Sequence, residues 1–271
     1  MSVYEDIEDF YENYAGEKCS IGRSAEGREL YAFFAGTHGG AVGICQYAIH
    51  AREWITAYLG LEHIRRGVCA GGVWFIPLMN PDGVVLATQG IESVKSSARR
   101  GLLLGLNGGG DFSLWKANTP GVDLNVNFPA RWGKGKSNVR EAAPENYIGA
   151  CPLSAPESRA LSEFTVQINP NFTMSFHTKG EEIYWRFPQS FSRARRDRRL
   201  AKRLSKSTGY PLKETLFSAG GYKDWCVEEL KIPAFTVEVG SDNLTHPLGL
   251  DALEEITSRC GNAVYEFTEG F

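Results

Sequence analysis

The chain has 271 residues, 42% of them hydrophobic and 23% charged, with a formal net charge of −3. That length and composition suit one large globular domain or two small ones, with an ample buried core. It argues against a bulk-charge attraction to nucleic acid, and no run approaches the roughly 18 apolar residues that cross a bilayer.

The elements follow in chain order. Residues 4–14 have the spacing of a short amphipathic helix, and 29–36 read as a strand. Residues 42–49 read as a buried strand that runs into His50. A helix is expected over Ile55–Arg66, where Ile55, Leu59 and Ile64 stand near helical spacing. Gly67, Gly71 and Gly72 then break the chain. Residues 73–79 form a strong strand run that stops at the turn signal Asn80-Pro81-Asp82-Gly83. The glycine-rich stretch 101–121 reads as a long surface loop, and so does 129–155. Helices are expected over Pro156–Ile168 and 190–208, and buried strands over 172–176 and Ala234–Val239. A last amphipathic helix is expected over 249–268. Strands alternating with helices indicate an α/β sandwich. The two long loops are expected to frame a site rather than to separate domains, so residues 1–271 are read as a single domain. Cys19, Cys45, Cys69, Cys151, Cys226 and Cys260 lack paired spacing and read as free thiols. With an acidic start that lacks a basic end and an apolar stretch, they give a cytoplasmic expectation.

His50-Ala51-Arg52-Glu53 places an imidazole and a carboxylate three residues apart, where a strand gives way to a helix. Zinc takes nitrogen and oxygen ligands in a tetrahedral shell, and a catalytic site leaves one position open. A third ligand must come from elsewhere, and His177 ends another strand. Glu238 sits inside the otherwise apolar run Phe235-Thr236-Val237-Glu238-Val239. A glutamate is seldom fully buried without a partner, so it reads either as a strand-end carboxylate paired with a lysine or arginine or as a general base. Ligands of open α/β sheets collect beyond the carboxyl ends of the strands, and His50, His177 and Glu238 all lie near such ends. His38, His63 and His246 lack that setting and read as surface or structural.

The segment His50-Ala51-Arg52-Glu53-Trp54-Ile55-Thr56 closely resembles the zinc-binding segment of carboxypeptidase A-like metallopeptidases. Ile21–Arg28, Asn80–Gly83, Gly121–Asn125, Ser175–His177 and Phe235–Glu238 match further segments in the same order. The resemblance runs from about residue 20 to the C-terminus. It implies a three-layer α/β/α sandwich around a mixed, mostly parallel eight-stranded sheet. It also implies one zinc per chain held by His50, Glu53 and His177, with Glu238 as the base. Lys116 falls where the family usually has an arginine that polarises the scissile carbonyl, and Asn125 matches an asparagine at the substrate's terminal carboxylate. Arg52, between the first two ligands, is expected to face the substrate.

Two departures bear on the substrate. Val126 replaces the arginine that grips a peptide's C-terminal carboxylate, and valine binds no anion. The family's mobile tyrosine is also missing, with Leu216 near its place. Lys223 stands where the family sets specificity for the residue after the scissile bond, and an ammonium there suits a carboxylate-tipped side chain. Both features resemble the branch that cuts bacterial wall peptides, namely the γ-D-glutamyl-meso-diaminopimelate peptidases and murein peptide amidases. Arg131, Lys179 and Arg186 are further candidate partners for substrate carboxylates. The expected partner is a muropeptide, with no nucleic acid and no membrane. The arginine-rich run 192–204 reads as a solvated helix face. Two rival readings are a conventional carboxypeptidase releasing C-terminal, acidic residues, and an inactive zinc-holding peptide-binding module.

Overall fold

The computed structural model describes residues 2–215 and 218–270. Leu216, the residue near the place of the missing tyrosine, lies outside them. The helices are α1 (Val3–Asn13), α2 (Ile55–Arg66), α3 (Pro81–Gln89), α4 (Ser97–Asn107), α5 (Pro156–Ile168), α6 (Phe191–Thr208), α7 (Tyr222–Trp225), α8 (Leu253–Cys260) and α9 (Ala263–Thr268). The strands are β1 (Lys18–Arg23), β2 (Glu29–Gly36), β3 (Val42–Tyr47), β4 (Gly72–Ile76), β5 (Phe172–Thr178), β6 (Glu182–Tyr184), β7 (Leu212–Lys213) and β8 (Ala234–Val239).

The strands form one 8-stranded sheet in the order β1-β2-β4-β3-β5-β8-β6-β7. The centre is parallel, β4-β3-β5-β8, as is the β6-β7 pair, while β1-β2, β2-β4 and β8-β6 are antiparallel. This is the expected mixed, mostly parallel sheet. Side chains of a strand alternate between faces, and the two faces carry separate cores. Cys45, Tyr47, Phe172, Met174, Phe176, Phe235 and Val237 share one with α2, α6, α8 and α9. Ile44, Trp74, Ile76 and Ala234 share the other with Leu161 and Phe164 of α5 and with Trp225 of α7. Three layers result.

Several local expectations change. The stretch 101–121 is not all loop, because α4 covers its first turns. Ser96 caps α4 by accepting from the Arg99 amide at 3.3 Å, and Leu103 anchors it while Gly101 and Gly105 face open space. Glycine weakens a helix by about 1 kcal/mol, which the buried leucine and the cap offset. Asn80–Gly83 is a helix start rather than a turn: the Asn80 side chain accepts from the Gly83 amide at 3.0 Å, with Pro81 in the first turn of α3. That is where proline costs a helix nothing. The C-terminal helix breaks at Gly261-Asn262 into α8 and α9. The strand expected over 42–49 stops at Tyr47, because Ala48 takes a left-handed φ of 48°. The stretch 129–155 is irregular as expected.

Candidate metal centre and catalytic cleft

After β3, the amide of Ala48 donates to Thr56 Oγ1 at 2.9 Å and that of Asn80 to the Ala48 carbonyl at 3.1 Å. The pair turns the chain so that His50 faces the cleft and Ala51–Glu53 winds one tight helical turn into α2. His177 and Glu238 are register partners at the ends of β5 and β8, and both project from the face opposite Phe176 and Val237. The Asn80 side chain ties the third side together, its Nδ2 donating to the Ile49 carbonyl at 3.3 Å and the Ala117 carbonyl at 3.0 Å. The Ala51 amide donates to the Lys116 carbonyl at 3.0 Å. Lys116 is thereby fixed beside His50 although 66 residues separate them in sequence.

His50, Glu53 and His177 are all buried, and their ligating atoms lie within 4.8 Å of one another. His50 Nδ1 stands 2.9 Å from Glu53 Oε1, His177 Nδ1 stands 2.9 Å from Glu53 Oε2, and the two Nδ1 atoms are 3.1 Å apart. A tetrahedral zinc shell sets neighbouring ligand atoms about 3.3 Å apart, so the donor set and its spacing fit zinc. The opposite ring nitrogens, His50 Nε2 and His177 Nε2, are buried and make no well-formed hydrogen bond. His50 Nε2 nevertheless points at Asp123 Oδ1, 3.4 Å away. A carboxylate behind a ligating imidazole fixes its tautomer and raises its basicity. Burial alone would lower the His50 pKa, but the carboxylates of Glu53 and Asp123 outweigh it and raise it. Burial alone would raise Glu53, yet the two imidazoles hold it well below the usual range.

Asp123 is the residue that sequence reasoning missed. It is fully buried. Its Oδ1 accepts from the Asn125 amide at 3.1 Å, and its Oδ2 takes the Asn146 amide at 3.1 Å and Lys116 Nζ at 2.9 Å. Burial pushes its carboxyl up, but Lys116 and then His50 hold it well below the carboxylate range. Lys116 answers in kind: burial lowers its pKa, Asp123 more than restores it, and the ammonium is held charged. Asp123 falls within the Gly121–Asn125 segment singled out in the sequence, but the segment match gave this aspartate no role. Its task shows only where the fold sets it between Lys116 and the distant His50.

Glu238 is half-buried at the end of β8, opposite His177, and its carboxyl is dehydrated by its surroundings. Burial foremost pushes its pKa up to about 7; Glu53 and Glu182 add to the rise, and His177 and Lys116 oppose it. A carboxylate near neutrality is suited to taking a proton and giving it back.

Beside the metal ligands lies a cavity of about 420 Å³, lined by His50, Lys116, Asn125, Val126, Lys136, Tyr184, Lys223 and Asp224, among others. Asn125 reaches it while its Oδ1 accepts from the Tyr222 amide at 3.1 Å, which seats α7. Lys223 lines the cavity, but it is not a bare ammonium. Nearly buried, it pairs with Asp224 Oδ1 at 2.5 Å, donates to the Arg186 carbonyl at 3.1 Å and lies over the Phe187 ring. Lys136 is the cavity cation without an acidic partner among the described residues, held out on a turn where the Gly135 amide donates to Asn138 Oδ1 at 2.7 Å. Arg52 is engaged with Glu145 at 3.5 Å. Arg131, Lys179 and Arg186 pair with Glu228, Asp242 and Glu214 and do not line the cavity. His63 is structural as expected, buried between the Tyr47 hydroxyl and the Cys260 carbonyl.

The model of the zinc carboxypeptidase family matches residues 3–256, and the chain belongs to that family. Gamma-D-glutamyl-L-diamino acid endopeptidase 1 of Lysinibacillus sphaericus is 32% identical over 233 residues, 77% of this chain and 56% of that protein. Murein peptide amidase A of Escherichia coli K12 is 29% identical over 205 residues, 66% of this chain and 81% of that protein. Among solved structures, bovine thrombin-activatable fibrinolysis inhibitor superposes with a TM-score of 0.80 at 20% identity, covering 100% of this chain and 96% of its own. That likeness speaks for the fold. The chain spans little more than half the length of the Lysinibacillus relative, 56%. No helix among the described residues is long and apolar enough to cross a membrane.

Proposed function

We propose that this zinc carboxypeptidase-family chain hydrolyses an amide bond in bacterial wall peptides, the bond between γ-D-glutamate and meso-diaminopimelate. The observation that carries the reading is the cavity beside His50, Glu53 and His177, with the uncharged Val126 on its wall and the buried Lys223–Asp224 pair lining it. A peptide ending in phenylalanine would find an ion pair where it needs apolar wall. A diaminopimelate side chain ends in charged groups. The names of the Lysinibacillus and Escherichia relatives point to the same substrate class.

His50, Glu53 and His177 hold the metal. When bound, zinc supplies Lewis-acid chemistry, polarising a carbonyl and acidifying water. Glu238 takes the proton of the attacking water and hands it to the leaving nitrogen. Its pKa of about 7 lets it do both near neutrality. Lys116, kept charged by Asp123, stabilises the negative charge that develops on the carbonyl oxygen. It does so as a point charge and lacks the fork of an arginine. Asn125 and Arg52 contact the substrate beside it. The six cysteines are unpaired, which suits a reducing compartment such as the cytoplasm.

Lys136 favours a second reading, release of a C-terminal residue. It is the cavity cation without an acidic partner among the described residues, and it could meet a terminal carboxylate in place of an arginine at 126. One experiment separates the two. Purified muropeptides and hippuryl dipeptides are incubated with the zinc-loaded protein, and the products are read by mass spectrometry. The proposal expects a cut before diaminopimelate. Preferred turnover of hippuryl-phenylalanine would overturn it in favour of the second reading.

A further inference from the structure

Lys223 and Asp224 are neighbours in α7, nearly buried, and both line the catalytic cavity. Their bonds leave specific capacity unused. An ammonium donates three hydrogen bonds. Among the described residues Lys223 Nζ makes two, to the Arg186 carbonyl and to Asp224 Oδ1. An ionised carboxylate accepts on both oxygens. The bonds that Asp224 receives from Ser218 at 3.1 Å and from Lys223 at 2.5 Å both fall on Oδ1. Oδ2 accepts none among the described residues. The pair thus offers the cavity one positive donor and one negative acceptor, with a net charge near zero.

We infer that the Lys223–Asp224 pair is a reader of zwitterions. It takes a substrate side chain that ends in an ammonium and a carboxylate on one carbon, with the carboxylate meeting Lys223 and the ammonium meeting Asp224. This inference rests on the proposed wall-peptide reading and deepens it, because it assigns Asp224 a role and makes the recognised feature the head-to-tail charge pair rather than a carboxylate alone. A single charge brought to this pair gains one partner and is repelled by the other. A zwitterion gains both, so the pair selects against side chains carrying either charge alone.

Four γ-D-glutamyl peptides test this, differing only in the residue after the bond. Meso-diaminopimelate carries both distal charges, lysine the ammonium, 2-aminopimelate the carboxylate and norleucine neither. The wild type should prefer diaminopimelate over either singly charged peptide by about 10- to 100-fold in kcat/KM, the range for one charged hydrogen bond in a partly dry site. The variants should reorder the series in opposite directions. Asp224→Asn should favour 2-aminopimelate over diaminopimelate, and Lys223→Met should favour lysine. A general folding defect lowers all four together and cannot produce opposite reorderings. A wild type that cuts the lysine peptide as well as the diaminopimelate peptide overturns the inference while the bond specificity stands. So do variants that both keep the wild-type order. If the wild type cuts none of the four, the wall-peptide reading itself falls. The same residues, blocked as Nα-acetyl amides so that only the distal groups differ and tested as competitors against a hippuryl substrate, then decide the pair's role. Diaminopimelate must compete at least about tenfold better than lysine and 2-aminopimelate, and equal competition refutes the reader.

Discussion

Asp123→Asn is the most informative single change, because it removes a charge and leaves the shape. The carboxylate is fully buried and accepts from the Asn125 and Asn146 amides, from Lys116 at 2.9 Å, and faces His50 Nε2 at 3.4 Å. An asparagine must turn its NH2 group toward one of the two sides. Toward Oδ2 it meets the Lys116 ammonium and the Asn146 amide; toward Oδ1 it meets the His50 ring and the Asn125 amide. Either way donors face donors. Removing one partner of a buried ion pair costs about 3–5 kcal/mol of stability. Loss of the carboxylate behind a ligating imidazole costs about 10- to 100-fold in metal affinity, or roughly 1.4–2.7 kcal/mol. The assay is competition for zinc against a coloured chelator, run beside urea unfolding of the zinc-free protein so that the two losses are read separately. If the variant held zinc within about threefold of wild type and unfolded at the same urea concentration, Asp123 would be a bystander and the ordering of His50 would need another cause.

Three further outcomes are expected. His177→Ala leaves two ligands, too few for a closed shell, and should lose stoichiometric zinc by metal analysis; full zinc content would remove His177 from the site. Glu238→Gln should keep zinc while turnover falls by about 100-fold or more, and near-normal turnover would mean that another group moves the proton. Glu157 is fully buried, and burial pushes its carboxyl from 4.5 up to about 7 against the pull of the Ala25 amide and Asn118. Between those values the folded state binds more protons than the unfolded chain, so stability falls as pH rises. The loss is complete above the folded value, on the order of 3 kcal/mol. Urea midpoints from pH 4 to pH 8 should therefore decline less in Glu157→Gln than in wild type, and parallel declines would sink the assignment.

What the sequence made legible follows from how each signal arises. Ile55–Arg66, Pro156–Ile168 and Ala234–Val239 have the same bounds in the structure as in the sequence reading, because strong periodicity or an apolar run is bounded by real punctuation. His50, His177 and Glu238 could be singled out because each lies at or near the carboxyl end of such a run, and the sheet order then brings β3, β5 and β8 side by side. The short strands β6 and β7, of 3 and 2 residues, are too brief to show alternation. The edge strand β1 is polar and half-exposed, so it too goes unmarked. Glycine content hid α4, whose fate turned on a cap and one buried leucine.

The charges of the site were the hardest part to read, and for one reason. A side chain's charge is visible in sequence, but the partner that cancels or directs it is not. Lys116 looks like a loop lysine until Asp123 is seen beneath it. Lys223 looks like a bare cation because residues i and i+1 on a helix ordinarily point apart. In α7 they meet at 2.5 Å because Ser218 and the Arg186 carbonyl hold the two ends from outside the helix. The same external hold turns a single charge, which would attract any anion, into a fixed dipole. Such a dipole would discriminate by the arrangement of charges, so on the proposed reading the specificity of this cavity rests on the tertiary contacts around α7 and not on Lys223 alone.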